Sequence, residues 1–127
     1  MAQSPSHKVI VVGGGAAGIA TAASMLKRDH SLDIAVVEPS DTHAYQPGWT
    51  MVGGGVFQPE VTVRPMASVI PKAVKWIKAA AATFQPDDNQ ITLDDGSTLQ
   101  YDVLVVAPGI RLAWEKIAGL EETLGKN

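Results

Sequence analysis

The residues best placed to do chemistry in this chain are mostly residues without side chains. Gly13-Gly14-Gly15-Ala16-Ala17-Gly18 sets glycine at the first, third and sixth positions of a turn. Gly13 can leave a strand sharply, Gly15 lets backbone approach a pyrophosphate that any Cβ would block, and Gly18 brings a helix close to a sheet. Ala16 and Ala17 open that helix, whose free N–H groups and positive dipole end suit phosphate. Glu38 follows Gly18 by twenty positions. A carboxylate there accepts from ribose hydroxyls and repels a 2′-phosphate, which argues against NADP. The pattern is a dinucleotide-binding fingerprint, and the motif alone does not separate FAD from NAD.

Other candidates are fewer. His43 is a candidate proton carrier because histidine is the residue type suited to that role, and a candidate metal ligand, but no second metal-type ligand stands at helical spacing from it. A structural hydrogen bond is its expected role, and no metal site is expected. Arg64 suits a phosphate or carboxylate contact and an exposed or ion-paired position equally. His7 reads as an exposed terminal histidine. The chain contains no cysteine, which excludes disulfides, thiolate metal sites and cysteine redox chemistry within these residues without fixing the compartment.

The elements that must position these groups can be read around them. Val9 to Val12 is a continuous apolar run, as expected for a strand covered on both faces. A helix from about Gly15 to Asp29 carries Ile19, Ala22, Ala23 and Leu26 near helical spacing, with Lys27 and Arg28 in its last turn. Ile34 to Val37 closes a βαβ unit ahead of Glu38. The segment from Pro39 to Gly55 has no clean period and mixes Tyr45 and Trp49 with proline and glycine. It leaves the carboxyl end of the second strand, the side where ligands bind, and reads as a ligand-facing loop. Pro65 suits the first turn of a short helix that Pro71 ends. Val74 to Ile77 reads as a further parallel strand. Ala79–Phe84, Gln90–Leu93 and Ser97–Tyr101 read as a meander turning at Asp94-Asp95-Gly96, and Trp76 as a core residue. Val103 to Val106 is a second fully apolar strand, ending in Ala107-Pro108-Gly109, where small residues let backbone lie against a nucleotide.

Composition agrees with such a domain. The chain has 127 residues, 46% hydrophobic and 18% charged, enough to bury roughly two thirds of its unfolded surface. The net charge of −3 comes without a basic patch, so nucleic acid is not an expected partner. No apolar run approaches the ~20 residues needed to span a bilayer, and the polar start lacks the apolar core of a signal peptide. A soluble chain is expected. Residues 1–7 read as a loose leader, 8–112 as the N-terminal part of a nucleotide-binding domain, and 113–127 as the start of a connection onward.

Taken together, the βαβ unit, the meander and Ala107-Pro108-Gly109 resemble, in order, the two-dinucleotide-binding flavoproteins, in which the first such unit binds FAD. Tyr45-Gln46-Pro47-Gly48-Trp49-Thr50, with Val52-Gly53 and Gly55 and then Arg64-Pro65, is similar to the corresponding loop of the sulfide:quinone oxidoreductases. The related type II NADH dehydrogenases carry a different sequence there. The resemblance runs from Lys8 to Asn127 and implies an α/β, Rossmann-like FAD-binding domain, incomplete here, with a parallel sheet and an antiparallel β-meander.

By position, the resemblance implies FAD contacts at Gly13, Gly15, Ala16, Ala17 and Gly18 around the pyrophosphate and at Glu38 on the ribose. It implies Ala81 at the adenine, Ala107 and Gly109 at the strand end, and Gln46 to Thr50 toward the flavin ring. Members of the family oxidise sulfide at redox cysteines and deliver the electrons through FAD to a membrane quinone. They are about three times this length, so the chain resembles an N-terminal fragment without catalytic residues of its own. The expectation is that it is inactive alone and exposes apolar surface through which it dimerises. The whole protein would be a peripheral membrane protein on the cytoplasmic side, touching the membrane through its C-terminal region. Another FAD-dependent reductase, of the NADH:quinone or flavocytochrome sulfide dehydrogenase type, and a non-catalytic nucleotide-binding module are the alternatives.

Overall fold

In the computed structural model, which describes residues 4–126, the apolar runs become neighbouring strands of one sheet. β1 (Ser6–Val12) lies between β2 (Ile34–Val37) and β8 (Thr98–Val106), parallel to both. β5 (Lys75–Ile77) adds outside β2, also parallel. β7 (Gln90–Leu93) and β6 (Ala81–Gln85) extend the other side as an antiparallel pair, giving the order β5-β2-β1-β8-β7-β6. The expected mixture of parallel sheet and meander is what forms. α1 (Ala16–Arg28) crosses over from β1 to β2, within a residue of its expected bounds.

The two faces of β1 explain why its sequence has no polar alternation. Val9 and Val11 pack with Ala22 and Leu26 of α1 and with Ile34, Val36 and Val74. Ile10 and Val12 face the opposite way, against Ile91, Leu93, Leu99 and Tyr101 of the meander. Each fully buried branched side chain contributes about 1.5–3 kcal/mol through loss of apolar surface to water. Tertiary packing also decides the Ala79–Ala82 run, whose composition favours helix but which enters β6.

Three readings need correction. His7 is not an exposed terminal histidine: it lies in β1, 8% exposed, with Nδ1 2.9 Å from the Asp33 carboxylate. The chain before it is held as well, because the Gln100 N–H donates to the Pro5 carbonyl at 2.9 Å. Strand therefore begins at Ser6, inside the stretch read as a leader, and the first three residues of that leader lie outside the described residues. The third strand of the meander and the apolar run after it are also a single strand. Asp102, which interrupts the apolar pattern, turns its exposed carboxylate to Lys8 Nζ at 2.7 Å and leaves the backbone of β8 unbroken.

The irregular segment after β2 is ordered in pieces too short to show a period. β3 (Thr42–Ala44) and β4 (Val63–Pro65) form an antiparallel ribbon that pairs His43 with Arg64. Between them lie a single turn at Gln46–Gly48, α2 (Trp49–Gly53) and a turn at Pro59–Thr62. Pro65 stands just before α3 (Met66–Val69), as its cap rather than in its first turn. A last short helix, α4 (Leu120–Thr123), follows the sheet. No described helix is long and apolar enough to cross a membrane.

Candidate nucleotide site

The glycine turn sits where three strands end together. Gly13 N–H donates to the Val37 carbonyl at 2.9 Å, and Ala107 N–H donates to the Val12 carbonyl at 2.8 Å. Gly13 has φ +108°, and a Cβ on it would run into the Ala107 carbonyl. A Cβ on Gly18 would meet the Gly13 carbonyl, so the helix lies against the turn. Gly15 differs: a Cβ there would meet nothing within 4 Å, which leaves open space in front of the turn. Gly15 is also the N-cap of α1, with no side chain closing the first turn. The first turn of α1 thus starts beside that space without a side-chain cap on its orphan N–H groups, as an anion-binding helix start requires.

Glu38 is fixed from both sides. Its N–H donates to the Ile77 carbonyl at 3.0 Å, and its own carbonyl accepts from Trp76 Nε1 at 2.8 Å. Trp76 is thus partly buried beside β2, holding the acidic residue. The carboxylate accepts from Gly14 N–H through Oε2 and from Ser40 N–H through Oε1, both at 2.8 Å. An ionised carboxylate offers about four acceptor positions, so positions remain for hydroxyl donors. His43 is buried, as a structural histidine should be, and its Nδ1 lies 2.9 Å from the Gly14 carbonyl.

Two hollows flank the turn and share Pro108. One, of about 320 Å³, is lined by Gly13, Glu38, Ala81, Phe84 and Val106 among others. The second, of about 310 Å³, is lined by Gly15, Ala16, Ala17, Gln46, Ala107 and Gly109, with Ala44 and Pro47. Nine of the singled-out residues are thereby brought to one surface running from the acidic residue across the helix start to the aromatic loop. Gly18 is buried beneath it, and Thr50 is exposed on α2 and lines neither hollow. Arg64 also stands apart, on a third hollow between α1 and the β3–β4 ribbon.

Sequence reasoning missed Gly14, Pro108 and Phe84. Gly14 occupies a position that the fingerprint leaves free, yet a Cβ on it would lie 2.7 Å from Glu38 Cγ and 3.0 Å from Met66 Sδ. Pro108 lay within a strand end already marked by its small residues. Phe84 carried no local signal, because its place over the hollow depends on how the meander folds back.

The geometry has counterparts in known proteins. The chain is 42% identical over 121 residues to the mitochondrial sulfide:quinone oxidoreductase of Dictyostelium discoideum, covering 94% of this chain and 27% of that protein. It is 46% identical over 116 residues to the one from Mus musculus, covering 91% and 26%. The solved sulfide:quinone oxidoreductase of Aquifex aeolicus superposes with a TM-score of 0.72 at 29% identity, over 87% of this chain and 26% of that one. The chain thus spans about a quarter of the length of these relatives. The family model for pyridine nucleotide-disulphide oxidoreductases matches residues 7–127, from the first strand through the last helix, and the chain belongs to that family.

Proposed function

We propose that this chain forms the FAD cradle of an oxidoreductase that oxidises sulfide and passes the electrons to a quinone. The observation that carries the cradle is the uncapped start of α1 beside Gly15, with the Glu38 carboxylate held at the other side of the turn. Gly13, Gly15, Ala16 and Ala17 would hold the diphosphate, with Gly18 keeping the helix close enough to do so. Glu38 would take the ribose hydroxyls and Ala81 the adenine, through backbone. Ala107 and Gly109 would line the strand end, and Gln46 and Thr50 would approach the flavin ring. Thr50 lines neither hollow and stands outside them on α2, so its approach rests on the family resemblance alone. The fit is supported by the space at Gly15, which one Cβ would begin to fill.

Bound FAD would supply two-electron transfer between sulfide and quinone. The chain's own residues bind and orient: glycine backbone admits the diphosphate, the α1 dipole offsets its charge, and the Glu38 carboxylate selects an unphosphorylated ribose. The 127 residues contain no cysteine, so we place the sulfur chemistry outside them, and the contact with a membrane and its quinone likewise. The similarity to sulfide:quinone oxidoreductases supports the substrate pair.

The test is the complete gene product, purified and examined for flavin absorbance, then assayed with sulfide or NADH as reductant and a short-chain quinone as acceptor. Flavin-dependent quinone reduction by sulfide is the expected result. Reduction by NADH alone would move the reading to the NADH:quinone type, and absence of flavin would leave a nucleotide-binding module. The 127-residue chain by itself is expected to show no sulfide turnover, and measurable turnover would overturn that placement of the chemistry.

A further inference from the structure

We propose that His43, which no part of the fingerprint includes, is a positioning residue that sets the glycine turn for the diphosphate. The proposal rests on reading that turn as the FAD cradle. It starts from the peptide group joining Gly14 to Gly15. The Gly14 carbonyl accepts from His43 Nδ1 at 2.9 Å, and His43 is 7% exposed. The described chain has no cis peptide bonds, and in a trans peptide the C=O and N–H point in opposite directions within one rigid plane. Tying the carbonyl inward to His43 therefore aims Gly15 N–H away from His43, at a residue that is itself exposed and on which a Cβ would meet nothing within 4 Å.

The neighbouring peptide is held in the same way, since Gly14 N–H donates to Glu38 Oε2 at 2.8 Å. Both peptides flanking Gly14 are thus pinned by side chains that arrive from distant parts of the chain. Three consecutive glycines are the most conformationally free sequence a turn can have. Without the two pins, ligand binding would have to order that turn at its own cost, and a flipped Gly14–Gly15 peptide would turn a carbonyl toward the phosphates. His43 itself is placed by the β3–β4 ribbon, where it pairs with Arg64. Because its partner is a carbonyl, Nδ1 must carry the hydrogen.

The experiment uses the complete gene product with histidine ¹⁵N-labelled. Imidazole nitrogen shifts should report His43 with its hydrogen on Nδ1, in a neutral or doubly protonated ring; a neutral ring carrying it on Nε2 overturns the proposal without any variant. His43→Phe keeps a ring of similar size and removes the donor, whereas His43→Asn sets an amide N–H near the Nδ1 position. FAD affinity should fall about tenfold in His43→Phe and return to within about threefold of the parent in His43→Asn, because binding must otherwise order a turn that the hydrogen bond had already set. Both flavin-free variants should be fully folded at the temperature of the binding assay, checked by circular dichroism, which separates positioning from unfolding. Equal FAD affinity in His43→Phe and the parent, or no recovery in His43→Asn, overturns the role of His43 alone. A parent protein that binds no FAD overturns the cradle reading as well.

Discussion

One methyl group is enough to disturb this site at Gly14. Gly14→Ala would press a Cβ to 2.7 Å from Glu38 Cγ, the middle of a side chain whose end is hydrogen-bonded to the same residue. Overpacking of this kind costs about 1–3 kcal/mol, and thermal unfolding should show it together with weaker FAD retention. Gly18→Ala should cost more, because its Cβ meets the backbone carbonyl of Gly13 rather than a side chain able to rotate away. Glu38→Ala should weaken FAD binding by about 1.5–3 kcal/mol, the range for hydrogen bonds to a charged group; unchanged flavin retention on dialysis would remove Glu38 from the ribose. Gly13, Gly15, Gly18 and Glu38 were legible in the sequence because turn geometry and chain spacing alone demand them. Gly14 and the partner of His43 were not, because their constraints come from residues 24 and 29 positions away.

The hairpin between β7 and β8 turns on its last residue and is steadied by its middle one. Gly96 has φ +83°, so Gly96→Ala places a Cβ in the left-handed region, at about 1–2 kcal/mol. Asp95 is held below the usual carboxylate range by Ser97, through its side chain first and its backbone N–H second. A lowered folded value means that this interaction stabilises the fold above the ordinary aspartate range and is lost as pH falls through the folded value. Acid titration of stability should therefore show a loss beginning near pH 4 that is smaller in Asp95→Asn. The turn was legible because Asp-Asp-Gly carries it locally. The continuity of β8 was not, since it comes from backbone pairing with β1 on both sides of Asp102, whose carboxylate faces Lys8.

The sheet is less finished than its sequence suggests. Val103 to Val106 is as apolar as Val9 to Val12 of β1, yet Val103 is 46% and Val106 55% exposed. Ladder pairing with β7 stops at Gln100 and Tyr101 N–H still donates to the Asn89 carbonyl, so from Asp102 onward β8 has only β1 paired beside it among the described residues. An apolar strand with one open edge is a template for another strand. The 127-residue chain should therefore self-associate, and Val103→Lys with Val106→Lys should suppress this. Sedimentation velocity over a concentration series is the measurement, and a strictly monomeric chain at high concentration would contradict the expectation. The strand itself was legible here as an apolar run closed by Ala107-Pro108-Gly109, whereas the exposure of these valines was not, because a buried strand and an uncovered one have the same composition.

The pairing of β1 with β8 also fixes when the site can exist. Synthesis runs from the N-terminus, so β1 and the glycine turn emerge first, with only α1 and β2 following soon enough to pack on them. The partner that fills the other side of β1, Ser6 against Gln100 and Val12 against Val106, is made only after most of the chain. Contacts of such long sequence separation form slowly, because loop closure must precede any gain from pairing. Until Ala107 N–H reaches the Val12 carbonyl, the turn has its contacts to Val37, Glu38 and His43 but lacks the strand end that lines both hollows. Completion of the two hollows is thereby a late event, timed by the strand farthest along the chain from the glycine turn.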